Sequence, residues 1–252
     1  MKFGICVPIS RIAESFPNAD FQELPAREIY KMEKPVFQDI YDQVKDGRRN
    51  IYSANCLTPN EMRLTGPEVD MQAIREYARV TFDRLAQLQI STVVFGAGRS
   101  KSVPEGFAQE AAWDQLYELG SFFADTAAQY GQTLVIEPLS YTETNIINTV
   151  AEAAEYAKTL GRSNCKYLVD FYHYISNGEK LEDLAAFSQG LVHAHIATAV
   201  KRSAPQDAQD WDFFRQCIRT LKDMGYTGGL TYEGKFPENA NEMLRIMKTL
   251  DA

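Results

Sequence analysis

The chain has 252 residues, 45% hydrophobic and 24% charged, and a net charge of −8 at pH 7, which is ordinary globular composition. The length suits one large α/β domain or two small ones, and the acidic balance, with a pI near 5.0, argues against nucleic acid as the main partner because phosphate binding needs a basic face. No apolar run approaches the ~18 residues of a membrane span. Cys6, Cys56, Cys165 and Cys217 form no CxxC pair, which excludes a zinc ribbon or thioredoxin-like motif and points to reduced thiols in the cytoplasm.

Residues 1–8 are too soon broken by Pro8 to be a secretory signal and read instead as a first strand. In chain order, the predicted strands are Lys2–Pro8, Phe21–Leu24, Tyr52–Asn55, Thr92–Phe95, Thr133–Glu137, Lys166–Asp170, Leu191–Ile196 and Gly229–Glu233. Helical spacing appears at Ile74, Ala78, Thr81, Leu85 and Leu88, and at Ala112, Leu116, Leu119 and Phe123. It returns at Phe214, Cys217, Leu221 and Met224, and at Leu244, Met247 and Leu250. Such stripes are core faces. Trp113 and Trp211 read as packing residues near helix starts.

Eight strands give about 31 residues per unit, the size of a βα repeat. Alternation of this kind implies a parallel sheet with helices outside. Eight units favour a closed barrel over an open doubly wound sheet. No linker or low-complexity block divides the chain, so residues 1–252 read as one α/β domain, a (β/α)₈ TIM barrel.

The chemistry lies at strand ends. Strands five to eight each carry an ionisable group at or near the C-terminal end: Glu137 before Pro138, then Asp170, His195 and Glu233. That end is the active-site face of such a barrel. Unpaired charges on apolar strands are costly to bury, and four on successive strands would repel or go unsatisfied unless a cation held them. Two Glu, one Asp and one His form a hard, oxygen-rich donor set suited to Mn²⁺ first, with Mg²⁺, Co²⁺ or Zn²⁺ as alternatives. Four unrelated strand-end groups are the plain alternative. His193 and His195 point to the same side of their strand; His195 is nearer the rim, and His193 reads as a hydrogen-bonded core histidine or a support for its neighbour. His173 falls in the predicted loop after Asp170, where exposure to water is the plain reading. Gly96-Ala97-Gly98-Arg99-Ser100-Lys101 lacks phosphate-loop spacing and reads as a tight turn, with Arg99 and Lys101 as candidates for holding an anionic group.

Ile136-Glu137-Pro138-Leu139-Ser140-Tyr141-Thr142-Glu143-Thr144-Asn145, Asp170-Phe171-Tyr172-His173 and His193-Ala194-His195-Ile196, with Glu233 after them, resemble in order the strand-five to strand-eight motifs of the xylose-isomerase-like sugar isomerase/epimerase superfamily. That superfamily includes the ketose 3-epimerases. Tyr52–Cys56, Phe95–Gly98 and Val103–Phe107 resemble one of its branches. The resemblance implies a divalent ion on Glu137, Asp170, His195 and Glu233, with Glu137 and Glu233 doubling as the acid/base pair. It also implies a substrate contact from His173, and from Glu143 either a sugar contact or support of the first catalytic glutamate. The family's substrate-contacting arginine after the histidine ligand falls at Lys201, with Arg202 beside it, so either of the two is expected to reach the substrate, and a lysine cannot reproduce a bidentate grip. The aromatic cap over the sugar in ketose 3-epimerases is not evident after strand four.

The expected activity is therefore epimerisation or isomerisation of a small carbohydrate through an enediolate. Aldose–ketose or hydroxypyruvate-type isomerisation and inosose-type dehydration are the alternatives on the same site. A DNA-repair nuclease would need more histidines and a basic face, and a non-catalytic sugar-binding barrel would not need both glutamates. The expected partner is a small-molecule carbohydrate, not nucleic acid or membrane, and a homo-oligomer is left open.

Overall fold

In the computed structural model, which describes residues 1–251, eight parallel strands close into a barrel in chain order. The strands are β1 (Lys2–Cys6), β2 (Phe21–Pro25), β3 (Ile51–Asn55), β4 (Thr92–Phe95), β5 (Thr133–Ile136), β6 (Cys165–Asp170), β7 (Leu191–Ile196) and β8 (Gly229–Tyr232). Closure comes from β1 pairing with β8, Lys2 opposite Gly229 and Ile5 opposite Tyr232. The (β/α)₈ expectation holds, with two refinements. Glu137 and Glu233 stand one residue beyond their strands, and β1 stops two residues before Pro8, whose missing N–H cannot extend a ladder.

The helices are α1 (Ala26–Lys31), α2 (Lys34–Lys45), α3 (Met71–Gln87), α4 (Gly98–Lys101), α5 (Gln109–Gln129), α6 (Val150–Leu160), α7 (Phe171–Ser176), α8 (Ala208–Asp223) and α9 (Ala240–Asp251). The repeat is irregular at two places. Between β1 and β2 there is only a 3-10 turn, Ile9–Arg11, and a long 3-10 segment, Leu181–Gly190, precedes β7. The apolar stripes of α3, α5 and α8 are buried at Ile74, Leu85, Leu116, Phe123, Phe214 and Leu221. Together with the outer faces of the strands they form the main core; Phe95, for example, meets Phe123 edge-on, with ring centroids 5.4 Å apart. Trp113 and Trp211 pack partly buried in the first turns of α5 and α8.

Inside the barrel the lining is split. Val94, Val135 and Leu168 make a small apolar cluster of their own. Glu23, Ser53, His193 and Thr231, all fully buried, form a hydrogen-bonded polar half. Phe21 closes the floor: a side chain at Gly4 or Gly229 would run into its ring. Among the described residues no helix is long and apolar enough to cross a membrane.

Candidate metal centre

Glu137, Asp170, His195 and Glu233 each offer a donor atom, and these atoms all lie within 4.8 Å of one another. The strands deliver them in register. Asp170 lies opposite His195 across β6 and β7. The backbone N–H groups of Glu137 and Glu233 donate to Phe95 and Ile196 carbonyls, so each glutamate continues its neighbour's ladder by one step. Glu137 Oε1 and Glu233 Oε2 stand 3.0 and 3.1 Å from the same atom, His195 Nδ1. Gly96 makes room for this, since a Cβ there would strike Glu137 Oε2.

Beneath the cluster sits Glu23, an acid that sequence reasoning passed over. Its Oε1 accepts from His195 Nε2 at 2.9 Å. Its Oε2 accepts from Ser53 Oγ at 2.6 Å, His193 Nε2 at 2.8 Å and Thr231 Oγ1 at 3.0 Å. Burial would raise its pKa, but His195 and His193 hold it far below the usual carboxylate range. Because Glu23 engages His195 Nε2, Nδ1 is the nitrogen turned toward the acids and the one available to a metal. The signal was there: Glu23 interrupts an apolar strand in the same way as Glu137 and Asp170. His193 is the buried, hydrogen-bonded histidine expected beside His195.

The remaining acids are biased in opposite directions. Burial and the Glu233 charge raise the Glu137 pKa. Burial acts the same way on Glu233, yet His195, Arg202 and a 2.5 Å hydrogen bond from Asn55 Nδ2 keep it well below its ordinary value. His195, despite burial, is held well above its ordinary value by Glu23 and Glu233.

Of the two basic residues after β7, Arg202 reaches the cluster and Lys201 does not. Arg202 donates to Glu233 Oε2 at 2.9 Å and Glu143 Oε1 at 3.1 Å, and lies 3.5 Å from Asp170 Oδ2. Its guanidinium also sits 5.0 Å from the Tyr172 ring centroid. Lys201 is exposed. Arg202 adopts a left-handed φ of 46°, a conformation unfavourable outside glycine that turns the chain back over the barrel mouth. Cys56 and Ala97, following β3 and β4, share this conformation.

His173 departs from its expected surroundings. It lies in α7 rather than a loop, and it is buried, not exposed to water. Its Nδ1 accepts from the Ser140 N–H at 3.1 Å. Its Nε2 has no partner and stands 3.6 Å from Asp170 Oδ2. Lys101, in α4, is also fully buried. Its Nζ donates to the Glu137 carbonyl at 3.2 Å, and burial pushes its pKa down to about 7 against the pull of Glu137 and Glu143.

Above the cluster opens a cavity of about 590 Å³, lined by Glu137, Glu143, Arg202 and Glu233 and by Arg27, Thr58, Asn60 and Arg99. Its size is that of a small-molecule site.

Residues 25–250 match the family described as xylose isomerase-like TIM barrel. Over 170 residues the chain is 26% identical to the D-psicose 3-epimerase of Agrobacterium fabrum, covering 64% of this chain and 57% of that one. Over 110 residues it is 27% identical to the 3-dehydro-D-guloside 4-epimerase of Escherichia coli, covering 43% and 41%. The chain thus spans about half the length of these curated relatives. The crystal structure of 3-keto-D-glucoside 4-epimerase from E. coli superposes with a TM-score of 0.79 at 15% identity, over 99% of both chains. That likeness concerns the fold.

Proposed function

The chain belongs to the xylose isomerase-like TIM barrel family, and from that membership we propose a metal-dependent sugar epimerase that inverts a carbon beside a carbonyl. The observation carrying this reading is the pair of carboxylates, Glu137 and Glu233, which follow β5 and β8 and converge on one histidine nitrogen. Two relatives whose names denote 3- and 4-epimerases of keto sugars support it.

The donor set fits a divalent ion. Three carboxylates and an imidazole whose Nε2–H is already engaged bring donor atoms within 4.8 Å of one another. Glu137, Asp170, His195 through Nδ1 and Glu233 would hold it, Mn²⁺ before Mg²⁺, Co²⁺ or Zn²⁺ on donor hardness. When bound, such an ion polarises a carbonyl and acidifies the neighbouring C–H.

The chain's own part is to move the proton. One of Glu137 and Glu233 removes it from the carbon beside the carbonyl, giving an enediolate, and the other returns a proton to the opposite face. Asn55 and Arg202 hold the Glu233 carboxylate in place, and Lys101 holds the backbone of Glu137. Glu143, which lines the cavity, would orient a substrate oxygen, and His173, whose Nε2 has no hydrogen-bond partner, would act beside Asp170. A ketose is the expected substrate, with aldose–ketose isomerisation and dehydration as the competing outcomes.

Turnover of ketoses in D₂O with product identification by NMR separates them. Epimerisation places deuterium on the inverted carbon and leaves C1 of the ketose unlabelled. Deuterium at C1 or an aldose product indicates isomerisation, and loss of water indicates a lyase. Glu137→Gln and Glu233→Gln should each lower turnover by about 10²–10⁴. Full turnover in either variant overturns the two-carboxylate mechanism.

A further inference from the structure

Charge is segregated around the barrel mouth. The acids come from the loops and ends of β5 to β8, and their one guanidinium, Arg202, is taken up by Glu143, Asp170 and Glu233. Arg27, at the start of α1 after β2, and Arg99, in α4 after β4, line the same cavity, Arg99 beside Gly98, which packs near Glu143 Oε2. Among the described residues neither forms an ion pair. Arg27 donates only to the neutral Asn60 Oδ1 at 3.3 Å, and the nearby Glu61 is engaged by Lys31 at 3.2 Å. No aromatic side chain lines the cavity; Thr58 and Asn60 add neutral polar groups beside the arginines.

A neutral sugar would leave both guanidiniums without an ion-pair partner and would find no aromatic face to stack on. An anion at that end would meet two donors with fork geometry suited to carboxylate or phosphate oxygens. The same polarity would fix the direction of entry, because the acids repel an anionic group.

We propose that the cavity takes a carbohydrate bearing one anionic group, a phosphate or a carboxylate, held by Arg27 and Arg99 while its carbonyl end lies at the four-residue cluster. The carbonyl end rests on the epimerase reading; the anion subsite does not.

Binding to Mn²⁺-loaded protein is measured by calorimetry with D-fructose, D-fructose 6-phosphate and D-fructuronate. At least one anionic sugar should bind about tenfold or more tightly than fructose, as charge-assisted contacts imply. Preference for the 6-phosphate assigns phosphate, and preference for fructuronate assigns carboxylate. The paired change Arg27→Gln with Arg99→Gln should largely erase the preference, with metal content as the check on the fold. In the unaltered protein the preference should also shrink as NaCl rises from about 20 to about 500 mM, because rim charges are screened. Fructose binding as tightly as both anionic sugars overturns the proposal. So does a preference insensitive to salt, or one that survives loss of both arginines. Tight, arginine-dependent binding without deuterium exchange at any carbon would instead overturn the epimerase reading and leave the anion subsite standing.

Discussion

At the scale of single residues, Glu23 explains more of the site than its position suggests. Four donors converge on its two oxygens, so a charge that is costly to bury is compensated locally. Its bond to His195 fixes the ring's tautomer, which orients Nδ1 before any metal arrives. Replacing Glu23 by Gln keeps the size but puts an N–H₂ where one of the two histidines had its acceptor. Mn²⁺ affinity, read by calorimetry on the otherwise intact chain, should fall about 10–100-fold, as for other groups that orient a metal-binding histidine. Unchanged affinity would reduce Glu23 to a packing role. Arg202 carries a similar lesson. Its neighbour Lys201 stands six residues after His195, but a left-handed turn brings Arg202 to the acids instead.

At the scale of elements, helices α5 and α6 lean together through a glycine. A Cβ at Gly120 would strike the Tyr156 hydroxyl, which hydrogen-bonds to the Leu116 carbonyl. Alanine normally gains about 1 kcal/mol over glycine in a helix, but overpacking here costs about 1–3 kcal/mol. Gly120→Ala should therefore destabilise the protein, seen as a lower urea midpoint; a higher midpoint would show that α6 shifts freely. The start of α6 offers a pH test. Its capping box joins Thr149 and Glu152, and Glu179 Oε2 accepts from the Val150 N–H at 3.1 Å. Burial pushes the Glu179 pKa up to about 7, with the Glu152 charge acting the same way and the Val150 N–H opposing. Tyr174 is the other titratable group beside it. A carboxyl with a folded pKa above its unfolded one stabilises the fold at low pH and loses that contribution as pH rises toward 7. Glu179→Gln should thus gain stability relative to the unaltered protein as pH goes from 5 to about 8, on the order of 1 kcal/mol after screening, seen as a rise in relative Tm. A difference independent of pH would contradict this origin.

At the scale of the whole molecule, four consecutive strands contribute to one candidate ion site, so a bound metal would tie half the barrel together. Ligand that binds only the folded state adds about 4 kcal/mol at a thousandfold excess over Kd. For a chain of this size that corresponds to a Tm difference on the order of 10 °C. Adding EDTA to metal-loaded protein should lower Tm by that order, and a melting curve unchanged by EDTA would remove the metal from the account.

Strand positions were legible from sequence because each is a local run of β-branched and aromatic residues. The four strand-end groups stood out for the same reason, as polar interruptions of apolar runs. The faces of α3, α5, α8 and α9 followed from spacing alone, whereas α1, α2, α4, α6, α7 and the 3-10 turn in place of a first helix did not. Those depend on what the barrel wall leaves uncovered. Sequence thus determined the repeating architecture and the cluster Glu137, Asp170, His195 and Glu233. Tertiary structure decided which groups serve it. Glu23 and His195 are 172 residues apart in the chain and meet only because the sheet closes on itself. Arg202 reaches the acids through one backbone turn, and His173 is buried because α7 folds back against the β5 loop. These relations depend on closure and long-range packing, which no local pattern of residues encodes.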